Sequence, residues 1–208
     1  MTDHYFSRTP GSKPRYQHLD VTLRGQSLRL TTGSGIFSKD HIDKGTHLLI
    51  ASASIEGSFI LDLGCGYGPV GLSLAKAYPS AHVTLSDVNE RAVKITRKNA
   101  KDNGIHNVTV LQSDIYQGIT GKFSEILLNP PQTAGKAICQ AMIAGAIEHL
   151  QENGSLQIVA RHNIGGKTLS EYMGSVFGNV DVLAKKSGFR VYRSFRESPA
   201  VRKKDQQT

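Results

Sequence analysis

The stretch Asp62-Leu63-Gly64-Cys65-Gly66-Tyr67-Gly68 constrains this chain more than any other. Before it, Phe59, Ile60, Leu61 and Leu63 form the apolar run of a central strand. Glycines at every second position then let the backbone turn sharply and come close to a ligand with no Cβ in the way. Pro69 suits the first turn of a helix, where its missing N–H costs nothing. A strand that enters such a turn and leaves as a helix cradles a nucleotide-like cofactor.

The rest of the chain repeats that alternation. A hairpin is predicted over 19–31, with Arg24-Gly25-Gln26 as its turn, then a glycine-rich loop at 33–40. Asp43 caps a helix over 44–54. After the opening strand at 59–63, a helix runs from Pro69 to about Tyr78, and a strand over 82–86 ends at Asp87. Asn89 caps a helix that reaches Asn103, and strands follow at 107–112 and 123–128. A helix over 134–150, a strand over 154–160, a helix over 167–177 and strands at 180–184 and 189–195 complete the pattern. Lys186-Ser187-Gly188 turns the last two strands antiparallel. The expectation is an α/β fold: a mostly parallel sheet of about seven strands, helices on both faces, and an N-terminal hairpin and helix.

The net charge of +8 is unevenly spread. Residues 41–184 carry eleven Lys and Arg against twelve acids, whereas residues 185–208 carry eight against two. Basic flanks on a neutral centre point to a polyanionic partner. Two distant cysteines, Cys65 and Cys139, form no metal-ligand pattern, and no metal is expected. No apolar run approaches the roughly 20 residues of a membrane helix. The first residues carry no signal-peptide hydrophobic region, so a cytoplasmic, reduced protein away from the membrane is expected.

Ligands of such sheets bind at the carboxyl ends of the strands, and four of those ends carry signals: Asp62 with its glycine loop, Asp87, Asp114, and Asn129-Pro130-Pro131-Gln132. Gly66 to Gly71 also matches the dinucleotide pattern GxGxxG. Asp62, two residues before the first glycine, is a poor neighbour for a pyrophosphate and a good one for an ammonium or sulfonium. Asp87 can accept from ribose hydroxyls and Asp114 from an adenine amino group. Together these fit S-adenosylmethionine better than NAD.

The spacing resembles that of class I S-adenosylmethionine-dependent methyltransferases, and the Asn-Pro-Pro segment resembles the motif of those that methylate planar amino nitrogens. The lone pair of such a nitrogen is delocalised. The Asn129 side-chain carbonyl and the Pro130 backbone carbonyl can accept its N–H groups and turn the lone pair toward the methyl group, with no strong base needed. Pro131 keeps the segment rigid. Further residues narrow the resemblance: Gly35 to Asp40, Asp43 to Thr46 with Leu48-Leu49, Phe177 to Val180 and Lys185 to Arg193. They look like the RsmC-like family, the small-subunit ribosomal RNA guanine-N2 methyltransferases, in a short single-domain form. Gln132 stands where that motif commonly carries an aromatic or bulky apolar residue, and Phe37 or Tyr67 could supply the missing face.

The resemblance implies a methyltransferase domain over 16–196, with an N-terminal cap at 16–56 and a cofactor-binding core at 57–196. A flexible arm over 1–15 and a basic tail over 197–208 flank it. Cofactor contacts are expected at Asp62, Gly64, Cys65, Gly66, Gly68, Asp87, Val88, Asp114, Ile115 and Asn129. Asn129, Pro130, Pro131 and Gln132 would form the catalytic segment. Phe37, Lys39, Arg161, Arg190, Arg193 and Arg196 would contact RNA, either ribosomal RNA or the small ribosomal subunit, with a monomer as the favoured state. The alternatives are adenine N6 in nucleic acid, a protein glutamine amide, or a non-catalytic RNA-binding protein on the same fold.

Overall fold

The computed structural model describes residues 15–38 and 40–198, with the side chain of Gln132 excepted. The arm before Arg15, the tail beyond Ser198, and Lys39 lie outside the described residues. A two-stranded hairpin, β1 (Tyr16–Leu23) and β2 (Gln26–Gly33), precedes helix α1 (Lys44–Ser52). The alternating part follows: β3 (Phe59–Leu63), α2 (Pro69–Ala77), β4 (His82–Asp87), α3 (Glu90–Asp102), β5 (Val108–Gln112), β6 (Phe123–Leu128), α4 (Lys136–His149), β7 (Leu150–Arg161) and α5 (Lys167–Phe177). Strands β8 (Asp181–Lys186) and β9 (Phe189–Phe195) end the series.

The main sheet has seven strands in the order β5-β4-β3-β6-β7-β9-β8. β3 to β7 pair in parallel, and β9 is antiparallel to both β7 and β8, as expected from the closing hairpin. The chain leaves β3 toward β4 on one side and returns to β6 on the other. That reversal opens a crevice at the carboxyl end of β3.

Two apolar layers hold the sheet. Ile60, Val83, Leu85, Leu127, Val159 and Val191 face a layer built by the hairpin, α1, α2 and α3. Leu61, Leu63, Ile126, Leu128, Leu156 and Ile158 face α4 and α5. Strands buried on both faces read as the continuous apolar runs seen in β3 and β6.

Buried polar side chains fasten the N-terminal segment to this core. The Glu125 carboxylate accepts from Glu56 N–H at 3.0 Å and Gly57 N–H at 3.1 Å. Gln157, with no solvent exposure, bonds both backbone groups of Ser54. Asn99 on α3 accepts from Thr31 N–H and donates to the carbonyls of Thr31 and Tyr67, stitching β2 to the glycine loop. Arg24, in the hairpin turn, donates to Ile50 O, Ala53 O and the Tyr78 hydroxyl, so one guanidinium binds carbonyls at the end of α1 and reaches the end of α2.

The hairpin extends beyond the expected 19–31 to Tyr16 and Gly33, and boundaries differ further around the helix expected over 134–150. The predicted helix over 134–150 divides into a single turn at Gln132–Ala134 and α4, because Gly135 takes φ 107° between them. β7 starts at Leu150 rather than residue 154, and its register with β6 shifts between Phe123 and Glu125. The left-handed Asn153 absorbs the turn before Gly154, a conformation the strand pattern does not encode.

Arg24→Ala leaves three acceptors at two helix ends without their donor. Urea denaturation is expected to show a loss of about 1.5–3 kcal/mol, the range for hydrogen bonds to a charged group.

Candidate active site

The crevice beyond β3 is a cavity of about 430 Å³. Every strand-end signal converges on it: Asp62, Gly64, Cys65 and Gly66 after β3, Asp87 and Val88 after β4, Asp114 and Ile115 after β5, and Asn129, Pro130 and Pro131 after β6. The ladders explain the convergence. Leu63 lies opposite Ser86 and Leu128, and Asp87 opposite Gln112, so β3, β4, β5 and β6 finish along one edge.

Asp62 sits at the floor of the cavity and is only 3% exposed. Its Oδ2 accepts the Gly71 N–H at 2.8 Å, in the first turn of α2. Burial drives its carboxyl up to about 7; the Gly71 bond opposes that, and the charge of Asp87 adds to it. Asp87 is raised by burial as well, although Asn89 N–H and Gly66 N–H each donate to one of its oxygens at 2.8 Å. Asp43, Asp62, Asp87 and Asp114 line an otherwise largely apolar cleft and leave strong negative potential, with no cation among the described lining residues. That donor set fits a ligand bearing positive charge and hydroxyl groups. The Asp87 carboxylate takes backbone N–H groups of Asn89, Gly66 and Val88 and retains lone-pair capacity for such hydroxyls.

The three loop glycines divide their work. Gly64 and Gly66 have positive φ, and a Cβ on either would meet nothing nearer than 3.7 Å, so both present bare backbone to the cavity. Gly68 does not line it. A Cβ there would lie 2.8 Å from Leu72 and 3.0 Å from Thr96. Gly68, expected as a cofactor contact, sits at the N-cap of α2, where this close packing needs a glycine. Ile115 has φ 52°, a strained conformation for a β-branched residue. The Ser113 hydroxyl, within reach of Ile115 O and Gln117 O, holds the turn that presents it.

A loop from the hairpin covers the cleft. Ile36, Phe37 and Ser38 line the cavity, and Phe37 is 43% exposed, which suits an aromatic face at the mouth. Asn89 donates to Gly35 O, Arg91 to Ser34 O, and the buried Tyr67 hydroxyl to Ser38 O. Sequence reasoning assigned Asn89 only the capping of α3, and missed that its amide also tethers this loop. It also missed Ile138 and Met142 of α4 as part of the lining. Both lie in an apolar helix pattern that does not distinguish cavity from core.

The expected RNA-contacting arginines separate. Arg161 ends β7 and stacks over Phe189 at 5.1 Å, and Arg190 lies beside it on β9. Arg193 does not join them: its side chain, 19% exposed, faces Asp181 and Glu56 and stacks on Phe195 at 4.5 Å. Arg196 donates to Leu150 O, toward the amino ends of the parallel strands. The structure does not bring these two to the cavity, because β9 runs antiparallel to β7 and carries successive arginines away from it. His162 lies near Arg190, Lys167 and Lys185, with Nδ1 2.7 Å from the Tyr192 hydroxyl. Among the described residues, no group of three or more His, Cys, Asp or Glu could hold a metal, and no helix is long and apolar enough to cross a membrane.

The family model for the methyltransferase small domain matches residues 27–193. An uncharacterized protein of Bacillus subtilis, YbxB, is 40% identical over 93% of this chain and 98% of its own length. Ribosomal RNA small subunit methyltransferase C of Serratia proteamaculans is 36% identical over 80% of this chain, and the match covers 48% of that protein. This chain thus spans about half the length of such relatives. Among solved structures, the Thermus thermophilus 16S rRNA N2 G1207 methyltransferase, in complex with AdoMet and guanosine, superposes with a TM-score of 0.78 at 23% identity, over 88% of this chain and 51% of that one.

The raised carboxyl of Asp62 has a consequence for stability. Between its unfolded value near 3.8 and its folded value of about 7, the native state binds more protons than the unfolded chain. Stability of the ligand-free protein from this group therefore falls as pH rises through that window, and the penalty is complete above about 7. Asp62→Asn retains an acceptor for Gly71 and removes the buried charge. Its melting temperature is expected to exceed that of the wild type at pH 8 and to approach it near pH 4, as read by differential scanning calorimetry.

Proposed function

The chain belongs to the methyltransferase small domain family. We propose that it transfers a methyl group from S-adenosylmethionine to the N2 amino group of a guanine in small-subunit ribosomal RNA, a reading whose RNA target the names of its relatives support. The observation that carries the reading is one cavity holding Asp62, Gly64, Gly66, Asp87 and Asp114 on one side and Asn129-Pro130-Pro131 on the other. The bound cofactor supplies an electrophilic methyl carbon on a sulfonium.

The chain's own residues do the rest. Asp62 and the bare backbone of Gly64 and Gly66 hold the cationic methionine end. Asp87 accepts from the ribose hydroxyls, and Asp114 with Ile115 takes the adenine. The cavity of about 430 Å³ falls in the usual range for an organic ligand. The Asn129 side-chain carbonyl and the Pro130 carbonyl accept the two N–H groups of the guanine amino nitrogen and aim its lone pair. The methylated nitrogen then loses a proton to solvent, so no strong base is required. Phe37 offers the flat contact for the base, which must leave its stack to enter. His162, Arg190, Lys167 and Lys185 lie within electrostatic reach of one another and would offer phosphates a basic surface, with Arg161 at the end of β7 on the other face of the sheet. The substrate in the longer relatives' name supports this target, and the basic flanks agree with it.

Incubation with methyl-labelled cofactor and naked 16S ribosomal RNA, small ribosomal subunits or a protein extract, followed by nucleoside digestion, tests the reading. Label is expected in N2-methylguanosine. Label confined to N6-methyladenosine or to protein overturns it. Asn129→Ala is expected to reduce turnover to a small residual rate with cofactor affinity nearly unchanged, whereas Asp87→Ala weakens cofactor binding about tenfold or more. Wild-type cofactor affinity is expected to fall below pH about 7, where Asp62 takes up a proton, as read by titration calorimetry at pH 6 and pH 8.

A further inference from the structure

Asp43 caps α1, but only one of its oxygens does so. Oδ1 accepts the Gly45 N–H at 2.8 Å and the Thr46 N–H at 3.2 Å. Ser, Asn or Thr would cap the helix comparably with one oxygen. The second oxygen, Oδ2, points away from the cap. It receives the Thr46 hydroxyl and, at 3.5 Å, the amide nitrogen of Asn129. Thr46, only 5% exposed, in turn accepts from the same Asn129 nitrogen at 3.0 Å. Eighty-odd residues of sequence separate these groups, and all three line the cavity.

We infer that Asp43 and Thr46 are positioning residues that fix which way the Asn129 carboxamide faces. The sense of the bonds is forced. A carboxylate only accepts, so the Thr46 hydroxyl donates to it and is left with lone pairs alone to offer. Asn129 must then present its NH₂ end to the pair and its carbonyl oxygen to the cavity. A carbonyl at that point accepts from an amino group and repels a keto oxygen, so the pair selects an N–H donor on the target. The carboxylate also strengthens the acceptor, because a chain of aligned hydrogen bonds polarises the amide toward its oxygen. Its charge reaches the cavity wall: after burial, it is the next influence holding the Tyr67 hydroxyl above its ordinary value. The inference rests on the reading of Asn129 as the acceptor of the target's amino protons.

Two measurements test it independently. In ¹⁵N-labelled protein without substrate, the Asn129 NH₂ signals, assigned by their loss in Asn129→Ala, are expected to exchange slowly with solvent. Thr46→Val is expected to speed that exchange, and Thr46→Ser to preserve the wild-type rate. Wild-type exchange as fast as that of an exposed asparagine, or no effect of Thr46→Val, overturns the inference whatever the methyl acceptor proves to be.

Kinetics supply the second measurement. Thr46→Val and Asp43→Ser, which retains a capping hydroxyl, are expected to lower kcat roughly tenfold or more with cofactor affinity within about twofold. In the Asn129→Ala background, residual transfer is expected to be indifferent to Thr46→Val. A further multiplicative loss there would mean a general structural role and would overturn the proposal. Methyl transfer to an acceptor other than guanine bears on the proposed substrate alone, since the exchange measurement requires no turnover.

Discussion

The buried bond between the Asp62 carboxylate and the Gly71 N–H ties the fold to its site. It joins the last turn of the central strand to the first turn of α2, and it works only if helix and strand approach closely. Gly71 permits this: a Cβ there would lie 2.5 Å from Leu85 and 3.0 Å from the Asp62 carboxylate itself. One absent methyl group therefore sets the spacing between β3, β4 and α2. That spacing aims Asp62 into the cleft and leaves its charge short of solvation. In the proposed function a cationic ligand would remove that penalty on binding, the ordinary coupling between an unsatisfied site and its ligand.

A similar double duty recurs around the cavity. Asn89 caps α3 with its oxygen and holds the covering loop with its nitrogen. Asn99 bonds the hairpin and the glycine loop from one amide. Asp43 caps a helix with one oxygen and reaches Asn129 with the other. Each is a bifunctional side chain at a junction, so the N-terminal segment is fastened to the cleft by the groups that shape it. In a low-dielectric setting such bonds are strong only when complete, which makes the hairpin, α1 and the cleft a mutually dependent unit.

The architecture was largely legible because its signals are local. Apolar runs mark β3 and β6, an asparagine cap marks α3, and glycine or proline marks most corners, so strand ends and the acids on them could be placed together. What escaped was relational. The glycine spacing made Gly68 look equivalent to Gly64 and Gly66, yet only the contact with Leu72 and Thr96 shows that it faces the helix. Arg190, Arg193 and Arg196 look like one basic stripe, but three-residue steps along a strand change both face and height. Arg193 is thereby spent on Asp181 and Glu56, and Arg196 on Leu150. The left-handed Ile115 is invisible in sequence, because nothing in its type announces a positive φ.

The pairing of Thr46 with Asn129 shows why the upstream segment and the Asn-Pro-Pro segment belong together physically. An isolated asparagine amide can rotate by half a turn at little cost, exchanging an acceptor for a pair of donors. Two rigid prolines fix the backbone after Asn129 but leave that rotation open. Closing it requires groups from outside the strand, and α1 brings them with its own N-terminus anchored by Asp43. The helix is held in place from its other end by Arg24 and, just beyond, by Gln157 on Ser54. Orientation at the reacting edge thus depends on a helix that contributes only two polar side chains to the cavity, and on a buried clasp far from it.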